Sequence, residues 1–300
     1  MITGATGTIG IALVNLCIRE NINVVVLANP DSNRLERIPK DEHVKVVPCA
    51  LSALSDYEGE SADVFFHFAW AGTFGEARND FALQEKNVEY ALDAVYLAQR
   101  LGCHTFIGAG SQAEYGRVSG ILRADTKCNP ENGYGIYKLK AETETGKLCD
   151  ELGLVHIWPR VLSVYGPFDG ERTMIMSTIT KLLDGLRPAL TKGEQMWDFL
   201  YCDDAARAFL EIARAGVSGR IYPLGSGTAR KLREYIEILR DEINPEADLG
   251  FGEIPYSDKQ VMHLQADISQ LCEDTGFAPE VDYKTGIART VDWLRQCKKE

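Results

Sequence analysis

The chain has 300 residues and a mass of 33.3 kDa, enough to bury a sizeable core without disulfides or structural metals. With 45% hydrophobic and 25% charged residues, its composition excludes disordered and fibrous classes. Its 44 acidic and 32 basic residues give a formal net charge of -12, which opposes binding to nucleic acid or anionic lipid surfaces. The expected partner is therefore a small molecule, with no nucleic acid and no membrane.

Cysteines, histidines and apolar runs are distributed in a way that points away from metal sites and membranes. The 8 cysteines are scattered without a C-x-x-C pair, which predicts reduced thiols. The 5 histidines show no metal-ligand spacing, so no metal is expected. The longest apolar stretch, around residues 65–71, is too short to span a bilayer, and no charged-then-apolar leader precedes the first motif. We therefore predict a cytoplasmic protein.

The first half of the chain alternates short β-branched or aromatic runs with longer segments of helical periodicity. One helix is predicted to begin near Ile9, and another runs past Val88 to a stop at Gly102. Strands separated by helices of this length predict an α/β fold with a doubly wound parallel sheet covered on both faces. The predicted strands are residues 24–27, 44–47, 64–68, 105–107 and 155–158.

The second half is less regular and predicts a smaller α/β lobe. A strand is expected at residues 199–201, and a closing helix ends near Leu294. We expect one part over residues 1–165 with a return segment near 198–225, and a second part over 166–300, with ligands in the cleft between them. Further helices are predicted at residues 174–186, 204–215 and 232–243.

Three glycines spaced three apart open the chain ahead of an amphipathic helix. Glycines at this spacing allow a tight turn and a close approach to a pyrophosphate, which then lies at the helix N-terminus. A plain glycine-rich turn is the alternative, but a second strand follows about twenty residues later, as a dinucleotide-binding fold requires. We therefore predict a Rossmann-type domain over residues 1–165, with 166–300 mainly binding substrate. The predicted cofactor contacts in the turn are Gly4, Thr6, Gly7, Thr8, Ile9 and Gly10.

The end of the second predicted strand bears on the choice of nicotinamide cofactor. An acid there binds the ribose 2′-hydroxyl and repels a 2′-phosphate. The position directly after the strand holds Ala28, and the residues that follow suit a phosphate. We therefore favour NADP(H), with Asn29, Ser32 and Arg34 as cofactor contacts. NAD(H) is the alternative, in which Asp31 takes the acidic role from a shifted position and Arg34 faces water.

Tyr134 and Lys138 lie four residues apart, so on a helix a phenol and an ammonium share one face. A phenol normally has a pKa near about 10, but a nearby ammonium and an oxidised nicotinamide favour the phenolate. That makes Tyr134 a candidate general acid and base. The alternative is an exposed helix face, since Y-x-x-x-K is common by itself.

Other motifs accompany this pair in a defined order along the chain. Together they make the sequence resemble the extended short-chain dehydrogenase/reductase family of nucleotide-sugar epimerases, dehydratases and ketoreductases, from Thr3 to about Trp293. The motifs are Phe66-His67-Phe68-Ala69, Asn87, Ser111-Gln112-Ala113-Glu114-Tyr115-Gly116, Asn129-Pro130, Arg160-Val161-Leu162-Ser163-Val164-Tyr165-Gly166-Pro167, Asp198-Phe199-Leu200-Tyr201-Cys202-Asp203-Asp204 and Gly276-Phe277-Ala278-Pro279.

The resemblance implies roles for individual residues. Tyr134 would be the general acid and base, and Lys138 would bind the nicotinamide ribose and lower the pKa of Tyr134. Ser111 would hydrogen-bond the reacting sugar oxygen. Ala69, Asn87, Tyr134 and Lys138 would contact the cofactor. Asn87 would also support the active site, with a helix cap as its alternative role.

Departures from the family pattern are also informative. In 4,6-dehydratases an adjacent Asp and Glu follow the Thr of the motif, whereas this chain has Gln112 and Ala113 there, with Glu114 one place later. We therefore expect no dehydration. Trp197 and Ser257 stand where many relatives carry basic residues for the substrate diphosphate, and Ser163 replaces a common Asn. Candidate substitutes for the lost basic residues are Lys259, Arg172, Arg187 and Lys192, which otherwise are solvated surface charges. The predicted substrate contacts are Ser111, Gln112, Ser163 and Trp197.

The resemblance predicts an NAD(P)-dependent oxidoreductase that acts at a sugar carbonyl or hydroxyl of a nucleotide-linked sugar, as a 4-ketoreductase or 4-epimerase. The missing basic residues keep a reductase of a non-nucleotide carbonyl open. A dinucleotide-sensing protein without turnover is a third possibility, against which the pair Tyr134 and Lys138 counts. The resemblance also implies a homodimer formed by the helix near Asn87 and the helix that carries Tyr134.

Overall fold

The computed structural model describes residues 1–299. The strands are β1 (Ile2–Thr3), β2 (Val24–Ala28), β3 (Val44–Pro48), β4 (Val64–His67), β5 (Thr105–Gly108), β6 (Gly110–Ser111), β7 (Val155–Val161), β8 (Ser163–Tyr165), β9 (Ala189–Leu190), β10 (Met196–Trp197), β11 (Phe199–Tyr201), β12 (Ile221–Leu224), β13 (Arg230–Lys231), β14 (Gly250–Phe251) and β15 (His263–Leu264). The helices are α1 (Thr8–Arg19), α2 (Phe81–Arg100), α3 (Gly133–Leu152), α4 (Met174–Leu183), α5 (Cys202–Ala215), α6 (Leu232–Ile243), α7 (Ser269–Thr275) and α8 (Tyr283–Cys297).

A large parallel sheet organises the N-terminal half. Its strands lie in the order β12, β7, β5, β4, β1, β2 and β3, and β6 pairs with the end of β7. The predicted strands of the first half are all present in this sheet. The two-residue β1 lies at its centre, paired with β2 on one side and β4 on the other. The doubly wound α/β prediction is confirmed.

Strand side chains alternate between two hydrophobic cores, one on each face of the sheet. Phe66 and Ile107 pack with the core that contains α1 and α5. Their neighbours Phe65 and Phe106 point to the other face, toward α2 and α3. Because both faces are covered, these strands are apolar at successive positions and not only at alternate ones.

The C-terminal part builds smaller sheets beside the large one. β10 lies between β13 and β15, β11 pairs with β8, and β14 pairs with β9. Helices α4, α6 and α8 pack on one another, and the aromatic rings of Tyr165, Phe199, Tyr235 and Tyr283 join them to β8 and β11. The predicted strand at 199–201 and helix at 232–243 match β11 and α6, whereas α4 ends three residues before the predicted 186.

Residues 1–299 contain neither of two features that the sequence argued against. No helix in this part of the chain combines the length and apolarity needed to cross a bilayer. The same residues hold no group of three or more His, Cys, Asp or Glu placed to bind a metal ion.

Candidate active site

The glycine turn joins β1 to α1 and packs tightly on the segment after β4. Gly4 has φ +75°, and a Cβ there would lie 2.5 Å from the backbone nitrogen of Ala69. A Cβ on Gly10 would lie 2.6 Å from the Cα of Ala5. Gly7 differs, because its Cβ would meet only the Gly4 oxygen, at an ordinary 3.7 Å. Gly7 also begins α1 without a side-chain cap, so free N–H groups face open space, as a pyrophosphate requires.

A cleft of about 650 Å³ opens above this turn. Of the predicted cofactor contacts, Gly4, Gly7, Thr8, Ile9, Gly10 and Arg34 line it. The residues of this chain therefore fit a dinucleotide. Two further cations, Arg37 and Arg172, also line the cleft. The sequence analysis missed Arg37, although it lies three residues after Arg34 in the same loop.

The other predicted cofactor contacts do not line the cleft, although Tyr134 lines a second, neighbouring cavity; they are Thr6, Asn29, Ser32, Ala69, Asn87, Tyr134 and Lys138. Asn29 and Ser32 are occupied within their own turn, since their side-chain oxygens accept hydrogen bonds from the backbone nitrogens of Asp31 and Arg34. Ala69 lies beneath the glycine turn, where its backbone blocks a side chain on Gly4.

Asn87 is neither a helix cap nor a lining residue of either cavity described here. It is buried inside α2, whose N-cap is Asp80. Its Oδ1 accepts a hydrogen bond from the Ala71 nitrogen at 2.9 Å, and its Nδ2 donates to the Ala71 oxygen at 3.0 Å. The cap role is therefore wrong, whereas the supporting role stays a prediction, since Asn87 fastens the loop that follows β4.

Close packing between α3 and the turn after β6 brings Tyr134 and Ser111 together. The side chain of Asn132 caps α3 by accepting a hydrogen bond from the Gly135 nitrogen, which places Tyr134 in the first helical turn. A Cβ on Gly135 would lie 2.3 Å from the Ala113 oxygen, so glycine allows the helix to touch the turn. Ser111 caps that turn through a hydrogen bond from the Ala113 nitrogen. Tyr134 and Ser111 line one cavity, as predicted.

The phenol of Tyr134 lies among groups with opposing effects. Burial raises its pKa, whereas the Ser111 hydroxyl and the Arg78 guanidinium lower it. The guanidinium carbon of Arg78 lies 4.4 Å from the centroid of the Tyr134 ring. Lys138, expected to lower this pKa, is not among the groups that do so in this structure. Sequence analysis missed Arg78, which comes from the loop before α2.

Lys138 is buried one helical turn below Tyr134. Its Nζ donates to the Ala109 oxygen at 2.7 Å and lies 3.8 Å from the centroid of the Trp70 ring. Burial lowers the pKa of Lys138 to about 7, and the carboxylate of Glu114 acts in the opposite direction. Of the two partners Ala109 and Trp70, Ala109 lines the glycine-turn cleft, so Lys138 lies next to that cleft.

Glu114 points away from the substrate space. It is fully buried, and its Oε1 accepts hydrogen bonds from the Ser111 nitrogen at 2.6 Å and from Trp158 Nε1 at 3.2 Å. Its Oε2 accepts a hydrogen bond from Arg160 Nε at 2.6 Å. Burial raises the pKa of Glu114 and the Arg160 charge opposes that rise. The carboxylate is thus committed to holding the Ser111 turn.

A cavity of about 690 Å³ extends from Tyr134 into the C-terminal part. All four predicted substrate contacts, Ser111, Gln112, Ser163 and Trp197, line it. Trp197 Nε1 donates a hydrogen bond to Ser163 Oγ at 2.8 Å, so these two side chains bind each other.

The cations around this cavity differ from those suggested by the sequence. Lys259, Arg172, Arg187 and Lys192 do not line it. Arg187 instead forms ion pairs with Asp248 and Glu253. Among the described residues, the cations that line the cavity are Arg78 and the exposed Lys181 of α4.

The glycine-turn cleft and the Tyr134 cavity are adjacent and share lining residues. One of the residues they share is Asp169, whose pKa burial raises to about 6, and whose carboxylate accepts hydrogen bonds from the Gly170 nitrogen and the Thr173 hydroxyl. The two cavities therefore lie side by side, with the shared residues between the glycine turn and the space in front of Tyr134 or along both. The shared lining residues are Thr73, Phe74, Leu162, Val164 and Asp169.

Curated proteins similar to this chain include epimerases and dehydratases. A protein named putative UDP-glucose 4-epimerase, from Methanocaldococcus jannaschii, is 27% identical over 308 residues, with 98% of each chain covered. A dTDP-glucose 4,6-dehydratase from Streptomyces antibioticus is 25% identical over 323 residues and covers 98% of this chain and 92% of its own.

Solved structures show the same fold. A UDP-N-acetylglucosamine 4-epimerase from Methanobrevibacter ruminantium, in complex with UDP-N-acetylmuramic acid, has a TM-score of 0.89 at 23% identity, with 99% and 97% of the two chains covered. RMD from Pseudomonas aeruginosa, complexed with NADPH, has a TM-score of 0.79 at 22% identity, with 98% of each covered. A family model described as the NAD dependent epimerase/dehydratase family matches residues 1–225. The chain therefore belongs to this family, as its resemblance to extended short-chain dehydrogenases/reductases predicted.

Proposed function

We propose that the protein is an NAD(P)-dependent oxidoreductase of nucleotide-linked sugars, acting at a sugar carbonyl or hydroxyl as a 4-ketoreductase or 4-epimerase. One observation carries the proposal: the cleft at the glycine turn and the cavity of Ser111 and Tyr134 share lining residues, so they serve one reaction space. In this proposal residues 1–165, with the return segment near 198–225, bind the dinucleotide, and 166–300 mainly bind the substrate.

The side chains at the junction suit proton transfer at a carbonyl. A bound nicotinamide would supply or accept the hydride. The Tyr134 hydroxyl moves the proton to or from the sugar oxygen, and the Ser111 hydroxyl hydrogen-bonds that oxygen. Lys138, whose Nζ donates to the Ala109 oxygen, is the residue that would bind the nicotinamide ribose.

The side chains near Ser111 argue against water elimination, although the relatives include 4,6-dehydratases and so do not support that exclusion. Elimination needs an acid and a base at the substrate besides the tyrosine. Gln112 lines the cavity but does not titrate. Glu114, the nearest carboxylate along the chain, is bound by Arg160 and the Ser111 nitrogen. The two residues that follow Ser111 therefore supply no acid or base, and within residues 1–299 Asp169, whose carboxylate already accepts hydrogen bonds from the Gly170 nitrogen and the Thr173 hydroxyl, is the carboxyl group that lines the cavity. On this ground we propose a reductase or epimerase without a dehydratase step.

For the cofactor we propose NADP(H). Arg34 and Arg37 both line the cleft, where a 2′-phosphate would accept hydrogen bonds from guanidinium groups. Relatives allow either choice, since the family is described as NAD dependent and RMD is complexed with NADPH. The alternative is NAD(H) with the ribose hydroxyl bound by Asp31.

We expect Arg34→Ala to weaken NADPH binding about tenfold or more, because a hydrogen bond to a charged group contributes roughly 1.5–3 kcal/mol. NADH binding should change little. Fluorescence titration of both cofactors measures this difference, and Arg240→Ala, at a surface pair with Asp241, is the matched control. Equal loss of affinity for both cofactors would contradict the 2′-phosphate assignment. Weaker NADH binding in Asp31→Ala would favour NAD(H).

Lys181 is the proposed replacement for the missing diphosphate-binding arginines. It is exposed and lines the cavity on α4, away from the reacting centre. We expect Lys181→Ala to raise KM about tenfold with kcat nearly unchanged, because the lost contact to the diphosphate is equally strong in the ground state and the transition state. Lys259→Ala, which removes a cation outside the cavity, should leave KM unchanged. A fall in kcat with constant KM would contradict this role.

Two measurements test the function itself. The purified protein is denatured, any released dinucleotide is identified by mass spectrometry, and the emptied protein is assayed with 4-keto sugar nucleotides and with UDP-sugars. Tightly retained cofactor together with epimerisation indicates an epimerase, which recycles its cofactor within a turnover. Exchangeable NADPH together with ketone reduction indicates a reductase. Failure to bind or convert any nucleotide sugar would overturn the proposal.

The cavity lining also favours a second candidate, a reductase of a non-nucleotide carbonyl. Trp197 and Ser163 bind each other where relatives use polar substrate contacts, and apolar residues such as Leu190 and Ile236 complete the wall. Competition by UDP and dTDP separates the two functions. Inhibition of turnover by either nucleotide supports the nucleotide-sugar enzyme, and its absence supports the second candidate.

A further inference from the structure

Arg78 occupies a position beside the reacting phenol that the proposed mechanism does not use. It lies in the segment before α2, and its Nη1 donates to the Thr73 oxygen at 3.2 Å. The guanidinium carbon is 4.4 Å from the centroid of the Tyr134 ring, within the distance of about 6 Å over which a cation is attracted to an aromatic face. Arg78 also lines the cavity in front of Tyr134.

The other cation near Tyr134 is less suited to stabilising a phenolate. Lys138 Nζ lies 5.9 Å from the centroid of the Tyr134 ring but only 3.8 Å from that of Trp70, and it donates to the Ala109 oxygen. Burial lowers the pKa of Lys138 to about 7, and the Glu114 charge acts in the opposite direction. A guanidinium stays charged near neutral pH.

We propose that Arg78 is the positioning residue that stabilises the Tyr134 phenolate and thereby sets the pH at which Tyr134 accepts the substrate proton. This rests on the proposed function, in which Tyr134 moves that proton. The phenolate carries charge into its ring, so a guanidinium against the ring face attracts it more strongly than it attracts the neutral phenol. Arg78 is fixed by Thr73, so the charge is in place before substrate binds.

The groups around Tyr134 act in opposite directions on the pKa of its phenol. The Ser111 hydroxyl, from the turn after β6, and Arg78 both lower the pKa of Tyr134, in opposition to burial. Glu114, from the same turn as Ser111, raises it. Lys138, on α3 itself, has its Nζ 5.9 Å from the centroid of the Tyr134 ring. Arg78 is therefore the charged group that favours the phenolate in this structure.

The test uses the full-length protein with saturating oxidised dinucleotide and tyrosine labelled with carbon-13 at Cζ. Tyr134→Phe assigns the Tyr134 resonance, and its titration is followed across the alkaline range. We expect Arg78→Gln to move the Tyr134 titration upward by about one pH unit, and Arg78→Lys to restore most of the shift. Arg289→Gln, which removes a guanidinium 5.7 Å from the Tyr201 ring, is the matched control and should leave Tyr134 unchanged.

Once a substrate is known, the pH dependence of kcat/KM gives a second measurement. The acidic limb should move to higher pH in Arg78→Gln by the same amount as the resonance. An unchanged Tyr134 titration in Arg78→Gln, with folding verified by circular dichroism, would overturn the proposal. A raised KM without a titration shift would also overturn it and would make Arg78 a substrate ligand. The carbon-13 titration of Tyr134 requires no turnover. Its result therefore tests the proposal for Arg78 independently of the sugar-nucleotide assignment.

Discussion

Replacement of Tyr134 by Phe is expected to lower kcat/KM by about 10²–10⁴-fold, the contribution of a positioned general acid or base. The substitution removes the hydroxyl and keeps the ring, so the contacts with Arg78 and with the edge of Trp70 remain. The cavity should therefore keep its shape while proton transfer is lost. Steady-state kinetics with the nucleotide sugar identified in the substrate panel measures the change.

The matched control for this variant is Tyr137→Phe, on the same helix. The Tyr137 ring contacts Phe81 and does not line the cavity, so this variant should keep full activity. Cofactor affinity should be unchanged in both variants, which assigns the loss in Tyr134→Phe to chemistry and not to binding. Retention of more than about a tenth of the wild-type kcat/KM would show that another group moves the proton and would remove Tyr134 from the mechanism.

Most of the fold was predictable because short-range patterns determine it. Apolar runs separated by helical periodicity specify a parallel sheet with two covered faces, and Phe65 and Phe66 show why such strands lack alternation, since each packs in a different core. The glycine turn was predictable because a Cβ at Gly4 or Gly10 would clash with neighbouring backbone atoms. The turn therefore needs glycine at both positions, and glycine is visible in the sequence. Ser111 and Tyr134 were predictable since the family motif fixes their spacing.

The charges around the site were not predictable in the same way. A long basic side chain reaches several ångströms from its backbone, so Arg78, Arg37 and Lys181 look like surface charges in the sequence although they line the cavities. Asn87 was misassigned because its partner, the backbone of Ala71, lies 16 residues away. Composition and spacing carry no information about such tertiary contacts. The NADP(H) preference and the homodimer stay predictions.

Glu114 and Arg160 form a buried pair that only the folded chain reveals, and breaking it is expected to be strongly destabilising. Glu114→Gln removes the charge that compensates Arg160, whose side chain is 3% exposed. Loss of one partner of a buried ion pair costs about 3–5 kcal/mol. We expect Glu114→Gln to lower the free energy of unfolding by about 3 kcal/mol, at the lower end of this range, because Glu142 remains 3.8 Å from Arg160 and partly compensates its charge. Urea denaturation of the wild type and the variant measures this difference.

The double variant Glu114→Gln, Arg160→Met separates the charge from the packing. With both charges removed, no uncompensated ion stays buried, so part of the lost stability should return. The control Glu85→Gln breaks the exposed pair with Lys140 and should change the free energy of unfolding by less than about 1 kcal/mol. A double variant less stable than Glu114→Gln would show that hydrogen bonding and packing of Arg160 outweigh its charge. Glu114 also accepts a hydrogen bond from the Ser111 nitrogen and so positions Ser111. We therefore expect kcat to fall in Glu114→Gln and in the double variant, even though the stability of the double variant partly recovers.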